Sequence, residues 1–238
     1  RLLFITFLIT GLLYLTTGAD AQVLFHDFSF KRDTTITCQD TNGSPLIYAF
    51  AGGMNSCQYG VIDLNGDQIK DLLVFDRHGN RVMPFIRKSP GIYGLVYSPS
   101  YAKLFPAMDN WMQLVDYNKD GSEDIFTYTT GGIKVFRNNN QAVPNFRQVS
   151  YPYLKSLQGP SLTNILVTSA DFPAIADIDG DGDIDILTFW GLGSFVELDK
   201  NMSMEKYGIP DSLDFVRTET CWGRFAEGEY SDLITLDT

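Results

Sequence analysis

Short apolar runs alternate with polar, glycine-bearing breaks along the chain, and three of these runs recur in the same surroundings. Residues 59–62, 112–115 and 174–176 are short apolar segments, each followed by a nine-residue acidic stretch. Each stretch leads into four residues of β type that end on an aromatic: Leu72-Leu73-Val74-Phe75, Ile125-Phe126-Thr127-Tyr128 and Ile186-Leu187-Thr188-Phe189. A glycine-bearing turn comes next, at Gly79-Asn80, Gly131-Gly132 and Gly191-Leu192-Gly193, and then a further run over 81–86, 133–137 and 194–198. β-branched and aromatic residues bounded by turn residues predict strands. Each unit therefore reads strand, acidic loop, strand, turn, strand, with a fourth strand supplied by the linkers, as at 93–97 or 146–150. No long stretch has helical spacing, and one short turn of helix is predicted near 100–105.

The acidic stretches start at 63, 116 and 177, which sets them 53 and then 61 residues apart. Helical solenoid repeats run shorter, and a period above about 40 with several strands per unit is of the β-propeller kind. One four-stranded blade cannot bury both faces alone; neighbours must stack on it. The expected fold is all-β, a β-propeller region over 22–238 with three to four blades, as a partial or open ring. Its units centre on 63–71, 116–124 and 177–185, and 221–238 reads as the start of another.

Residues 1–21 have a different pattern. Arg1 is a basic start, 2–17 are apolar, and Ala19-Asp20-Ala21 is a small-x-small cleavage site before Gln22. The apolar run is short for a membrane span and ends in a processing signal. It predicts Sec export to the cell surface or medium, cleavage after Ala21, and no transmembrane anchor after signal removal. Beginning at Arg rather than Met, the chain reads as a fragment. Export permits disulfides; Cys38 and Cys57 could pair and leave Cys221 odd, or all three could be free thiols.

Charge adds the chemistry. The net charge of −11 argues against a nucleic-acid partner, because phosphate binding needs Lys/Arg stripes. Twelve of the 29 Asp and Glu residues fall in the three nine-residue stretches, and carboxylates so crowded repel one another unless a cation sits between them. Oxygen-bearing side chains stand at loop positions 1, 3, 5 and 9 in all three copies, and position 7 can offer a backbone carbonyl. Calcium takes six to eight hard oxygens in a tolerant geometry, whereas magnesium wants a rigid octahedron. Zinc prefers Cys and His, and neither His26 nor His78 lies in a loop. Position 12 is Val74, Thr127 or Thr188 rather than Glu, so these are not EF-hands. The third loop, with five Asp and with Gly180 and Gly182 at positions 4 and 6, is expected to bind most tightly. The first, with Gln68 where the others have glycine at position 6, is expected to be strained and weakest.

The loops resemble the FG-GAP/VCBS repeats of integrin-type propellers. Ala51-Gly52-Gly53-Met54-Asn55, residues 71–82, 124–137 and 173–189, and Lys200-Asn201-Met202-Ser203-Met204-Glu205-Lys206-Tyr207-Gly208 are similar to large secreted VCBS-repeat proteins of the Bacteroidetes type. Such proteins commonly carry a type IX secretion sorting domain, which is not read within these residues; surface attachment through it is implied by the resemblance alone. Carried over by position, the resemblance implies up to three Ca2+ ions. The first would be held by Asp63, Asn65, Asp67, Ile69 and Asp71, and the second by Asp116, Asn118, Asp120, Ser122 and Asp124. The third would be held by Asp177, Asp179, Asp181, Asp183 and Asp185.

The expected function is a secreted, non-catalytic binding, adhesion or scaffold module with an extracellular protein or glycan as partner. The alternative is a propeller-based polysaccharide lyase or hydrolase. Such an enzyme needs a positioned acid and base, and metal-bound carboxylates are not free bases. His26 and His78 read as edge and turn residues, and no Gly-x-Ser-x-Gly elbow occurs.

Overall fold

The computed structural model describes residues 36–46, 48–88, 94–139, 142–191, 193–228 and 233–237. The expected signal segment and His26 lie outside the described residues, as does Tyr93 of the expected fourth strand. Almost everything described falls in one compact unit, 37–238. It is mostly β.

Two four-stranded antiparallel meanders come first. Sheet I runs β1 (Cys57–Ile62), β2 (Asp71–Asp76), β3 (Arg81–Arg87) and β4 (Leu95–Tyr97). A 3-10 turn over Pro99–Leu104, at the place where a short helical turn is predicted, leads to sheet II. That sheet runs β5 (Asp109–Val115), β6 (Asp124–Thr129), β7 (Gly132–Asn138) and β8 (Phe146–Gln148). A hairpin of β9 (Lys155–Gln158) and β10 (Ser161–Asn164) intervenes before the third meander.

Sheet III has β11 (Ala174–Ala176), β12 (Asp185–Phe189), β13 (Val196–Asn201) and β14 (Phe215–Glu219), with a one-turn helix α1 (Ser203–Tyr207) between the last two. The hairpin joins this sheet by pairing β9 parallel to β14, giving the order β10-β9-β14-β13-β12-β11. The tail makes a small hairpin, β15 (Phe225–Glu227) and β16 (Ile234–Leu236). Glu227 N–H donates to Ser194 O at 2.9 Å, tying this hairpin to the β12–β13 turn.

Both faces of the inner strands are apolar, so the sheets bury them by stacking. Ile62, Leu64, Leu73, Phe75 and Ile86 of sheet I pack with Met112, Ile125 and Phe136 of sheet II. The alternate residues of sheet II, Trp111, Phe126, Ile133 and Val135, pack with Ile175, Ile186 and Phe215 of sheet III. Each large side chain fully buried this way contributes about 1.5–3 kcal/mol, which a lone meander with open faces would forgo.

The first strands of successive sheets lie close together. Met112 N–H donates to Gln58 Oε1 at 2.7 Å, and Gln113 Nε2 donates to Pro173 O at 2.5 Å. A side chain on Gly60 in β1 would meet Leu114 Cδ1 of β5 at 2.8 Å. The three cysteines are free thiols, which answers the pairing the sequence leaves open.

Candidate metal centre

Each acidic stretch closes a β-hairpin at the same register. Ile62 stands opposite Asp71, Val115 opposite Asp124, and Ala176 opposite Asp185. The loop positions therefore correspond by number, and so do the hydrogen bonds accepted at positions 3, 5 and 9. The position-9 aspartate is fully buried in all three, Asp71, Asp124 and Asp185. One of its oxygens accepts the N–H of position 2: Leu64 at 2.8 Å, Tyr117 at 3.2 Å and Ile178 at 3.0 Å. The other accepts the N–H that closes the third strand: Arg87 at 2.7 Å, Asn138 at 2.8 Å and Asn201 at 2.9 Å.

Positions 3 and 5 shape the rest of the turn. The position-3 oxygen accepts the N–H of position 5: Asn65 from Asp67, Asn118 from Asp120, and Asp179 from Asp181. Position 5 in turn accepts from position 7: Asp67 from Ile69, Asp120 from Ser122, and Asp181 from Asp183. Position 1 accepts from two or three loop N–H groups: Asn65, Gly66 and Gln68 to Asp63, Asp120 and Gly121 to Asp116, and Gly180 and Gly182 to Asp177.

This winding needs a left-handed backbone at positions 4 and 6. Gly66 and Gln68, Lys119 and Gly121, and Gly180 and Gly182 all have positive φ. The strain expected at Gln68 is realised as φ 67°. A non-glycine residue there costs about 1–2 kcal/mol, partly offset by glycine's greater unfolded-state entropy. Gln68 is exposed and its side chain supports nothing buried. Gln68→Gly is therefore expected to stabilise the protein by about 0.5–1 kcal/mol in urea unfolding, and a loss of stability would show that the turn does not need glycine.

The third loop is the most crowded. Carboxylate oxygens of Asp177, Asp179 and Asp185 lie within 4.8 Å of one another, and so do those of Asp179, Asp181 and Glu205. Among the described residues, three-acid groupings this tight occur only there. Glu205 belongs to α1 and is a functional candidate that the loop spacing does not reveal. Asp183, at position 7, is fully buried. Its Oδ2 accepts the N–H of Met204 at 2.9 Å, while its Oδ1 is buried with no hydrogen-bond partner. In the other loops position 7 is Ile69, which is exposed, and Ser122, which is buried.

Burial pushes the carboxyls of Asp71 and Asp185 above the usual range, against the pull of the N–H bonds they accept. It pushes Asp124 up to about 7 and Asp183 up to about 6. Ionised carboxylates in such places are costly without a counter-charge. A hard divalent cation, with its demand for six to eight oxygens, fits this donor set and the unpartnered Asp183 oxygen.

Residues 116–188 match the family model of the FG-GAP-like repeat. That stretch begins at the first residue of the second loop and includes the whole third loop. The first loop lies outside it and yet follows the same hydrogen-bond scheme. No curated protein matches the chain. The chain is thus a β-rich protein of which residues 116–188 are similar to the FG-GAP-like repeat, and a binding or adhesion type of module is what such a repeat suggests.

Proposed function

We propose that the chain is an exported arc of three to four β-propeller blades, stiffened by calcium in its hairpin loops, that serves as a non-catalytic binding, adhesion or scaffold module. The observation that carries this reading is the threefold recurrence of one loop geometry, each copy anchored by a buried position-9 aspartate. The stacked meanders, with their first strands bridged at Gln58–Met112 and Gln113–Pro173, support the propeller arrangement. Blades that splay outward from close-set inner strands would have these contacts. Export rests on the sequence of residues 1–21. Among the described residues, no helix is long and apolar enough to cross a membrane.

Calcium would bind at Asp63, Asn65, Asp67, Ile69 and Asp71, and at the equivalent residues of the other two loops. Its role is structural: at ten times Kd, one site stabilises the folded state by about 1.4 kcal/mol. The partner class is an extracellular protein or glycan. His78 is exposed beside the β2–β3 turn, away from the acidic loops.

Thermal unfolding of the chain in millimolar calcium and in excess EGTA tests the reading. A rise of several degrees with calcium is expected, reduced in Asp177→Ala/Asp181→Ala. Identical curves in the two buffers would overturn calcium binding. A glycan array probed with the calcium-loaded chain separates a binding module, which is retained, from a pure spacer, which is not.

A further inference from the structure

The three loops differ at one place that loop spacing does not reveal. Extending the strand register by one residue sets Ile86 opposite Asp71, Arg137 opposite Asp124, and Lys200 opposite Asp185. These three side chains hold equivalent positions beside their loops. Ile86 is apolar and buried between sheets I and II. Arg137 turns to Asp211 at 2.7 Å and stays 3.7 Å from Asp120. Lys200 behaves differently. Its Nζ makes close ion pairs with Asp179 Oδ2 and Glu205 Oε1, and lies 3.5 Å from Asp181 Oδ2.

An ammonium has three N–H donors; this one pairs closely with Asp179 at loop position 3 and Glu205 of α1, while Asp181 Oδ2 at position 5, 3.5 Å away, is buried without a hydrogen-bond partner. We propose that Lys200 is the third loop's own counter-cation, that it competes with calcium for Asp179 and Asp181, and that the loop richest in aspartate therefore fills last. The inference rests on the calcium reading above and deepens it at one site.

Both ions need the same oxygens. An ammonium and a divalent cation a few ångströms apart repel each other strongly at the effective dielectric of a protein surface, so Lys200 must leave before calcium can enter. Its four-carbon stem is flexible enough to do so, and its side chain is 23% exposed, leaving it a path to solvent. Lys200 Nζ donates to Asp179 and Glu205, and an ammonium is ordinarily charged at neutral pH.

The ammonium does not complete the site. Asp183 Oδ1 remains buried without a partner. Asp183 also grips the N–H of Met204, next to Glu205. The loop and the start of α1 thus form one acidic pocket, and the unpartnered oxygen is left over for a larger, more highly charged ion. The first loop has no internal cation at the equivalent position. On this account its three aspartates take calcium without displacing anything, despite the strain at Gln68.

Calorimetric titration of calcium into the wild-type chain and into Lys200→Met tests the proposal. Two tighter sites and one weaker site are expected in the wild type. In Lys200→Met the weak site should tighten by about 10- to 100-fold, with the other two unchanged. A second measurement does not depend on the variant folding: amine acylation of the wild type, read by mass spectrometry. Lys200 is expected to be protected in EGTA and several-fold more reactive in saturating calcium. If Lys200→Met folds and its third affinity is unchanged, or if Lys200 reactivity ignores calcium, the competition is refuted while calcium binding stands. If neither protein takes up calcium, the calcium reading falls and this inference falls with it.

Discussion

Asp124→Ala is expected to destabilise the protein by about 3–5 kcal/mol, and to do so whether or not calcium is present. Asp124 is fully buried and joins two parts of sheet II. Its Oδ2 accepts the Tyr117 N–H at 3.2 Å, which fixes the start of the loop. Its Oδ1 accepts the Asn138 N–H at 2.8 Å, which fixes the end of β7. Alanine leaves both donors unsatisfied, and a buried hydrogen bond to a charged group is worth about 1.5–3 kcal/mol. Relief from burying a carboxylate whose pKa is already pushed up to about 7 offsets part of this. Asp124→Asn keeps one acceptor but turns an amide N–H2 toward a second donor, so about half the loss is expected. Urea unfolding in EGTA measures the structural part, and the extra stability gained on adding calcium measures the metal part. If Asp124→Ala lies within about 0.5 kcal/mol of wild type in EGTA, within the range of ordinary surface substitutions, the aspartate is a ligand only and not a structural tie.

The loops and the strands around them are legible in the sequence because their signals are local. An acidic loop between two apolar runs fixes a hairpin, and the structure places 62 opposite 71, 115 opposite 124 and 176 opposite 185. The fourth strands expected within 93–97 and 146–150 are found at Leu95–Tyr97 and Phe146–Gln148. What escapes is non-local. The β9–β10 hairpin is mostly polar, and its parallel pairing with β14 joins segments about 60 residues apart with no turn between them to announce it. Glu205 comes to the third loop because Asp183 holds the Met204 N–H, and a five-residue helix leaves no periodicity to read. The ion pairs that Lys200 makes with Asp179 and Glu205 escape in the same way. The ammonium of Lys200 arrives across the sheet, from β13, where sequence distance hides it.

Gly132→Ala is expected to cost about 3–5 kcal/mol, although it adds a single methyl group. Gly132 opens β7 at φ 152°, and a Cβ there would stand 2.4 Å from the Ile165 carbonyl oxygen. That oxygen is backbone and cannot swing aside. Ile165 N–H donates to Leu154 O, and Leu154 N–H donates to Ile133 O, so the segment is laced to β7 on both sides. Asn164 Nδ2 donates to Gly131 O as well. Making room means moving Ile165, which is fully buried in the cluster between sheets II and III. Overpacking of this kind costs about 1–3 kcal/mol, and an unfavourable φ adds about 1–3 kcal/mol. Gly159→Ala is the control: it sits in the β9–β10 turn at φ 58°, with nothing within 4 Å of its Cβ, so only the conformational cost applies. Urea unfolding should separate the two variants by about 2 kcal/mol or more. Hydrogen exchange at β9 and β10 should accelerate in Gly132→Ala before it does elsewhere, because the displaced residue closes the base of that hairpin through its N–H to Leu154 O. Equal costs for the two alanines would mean that the close approach of Ile165 to β7 is not what holds the inserted hairpin in place.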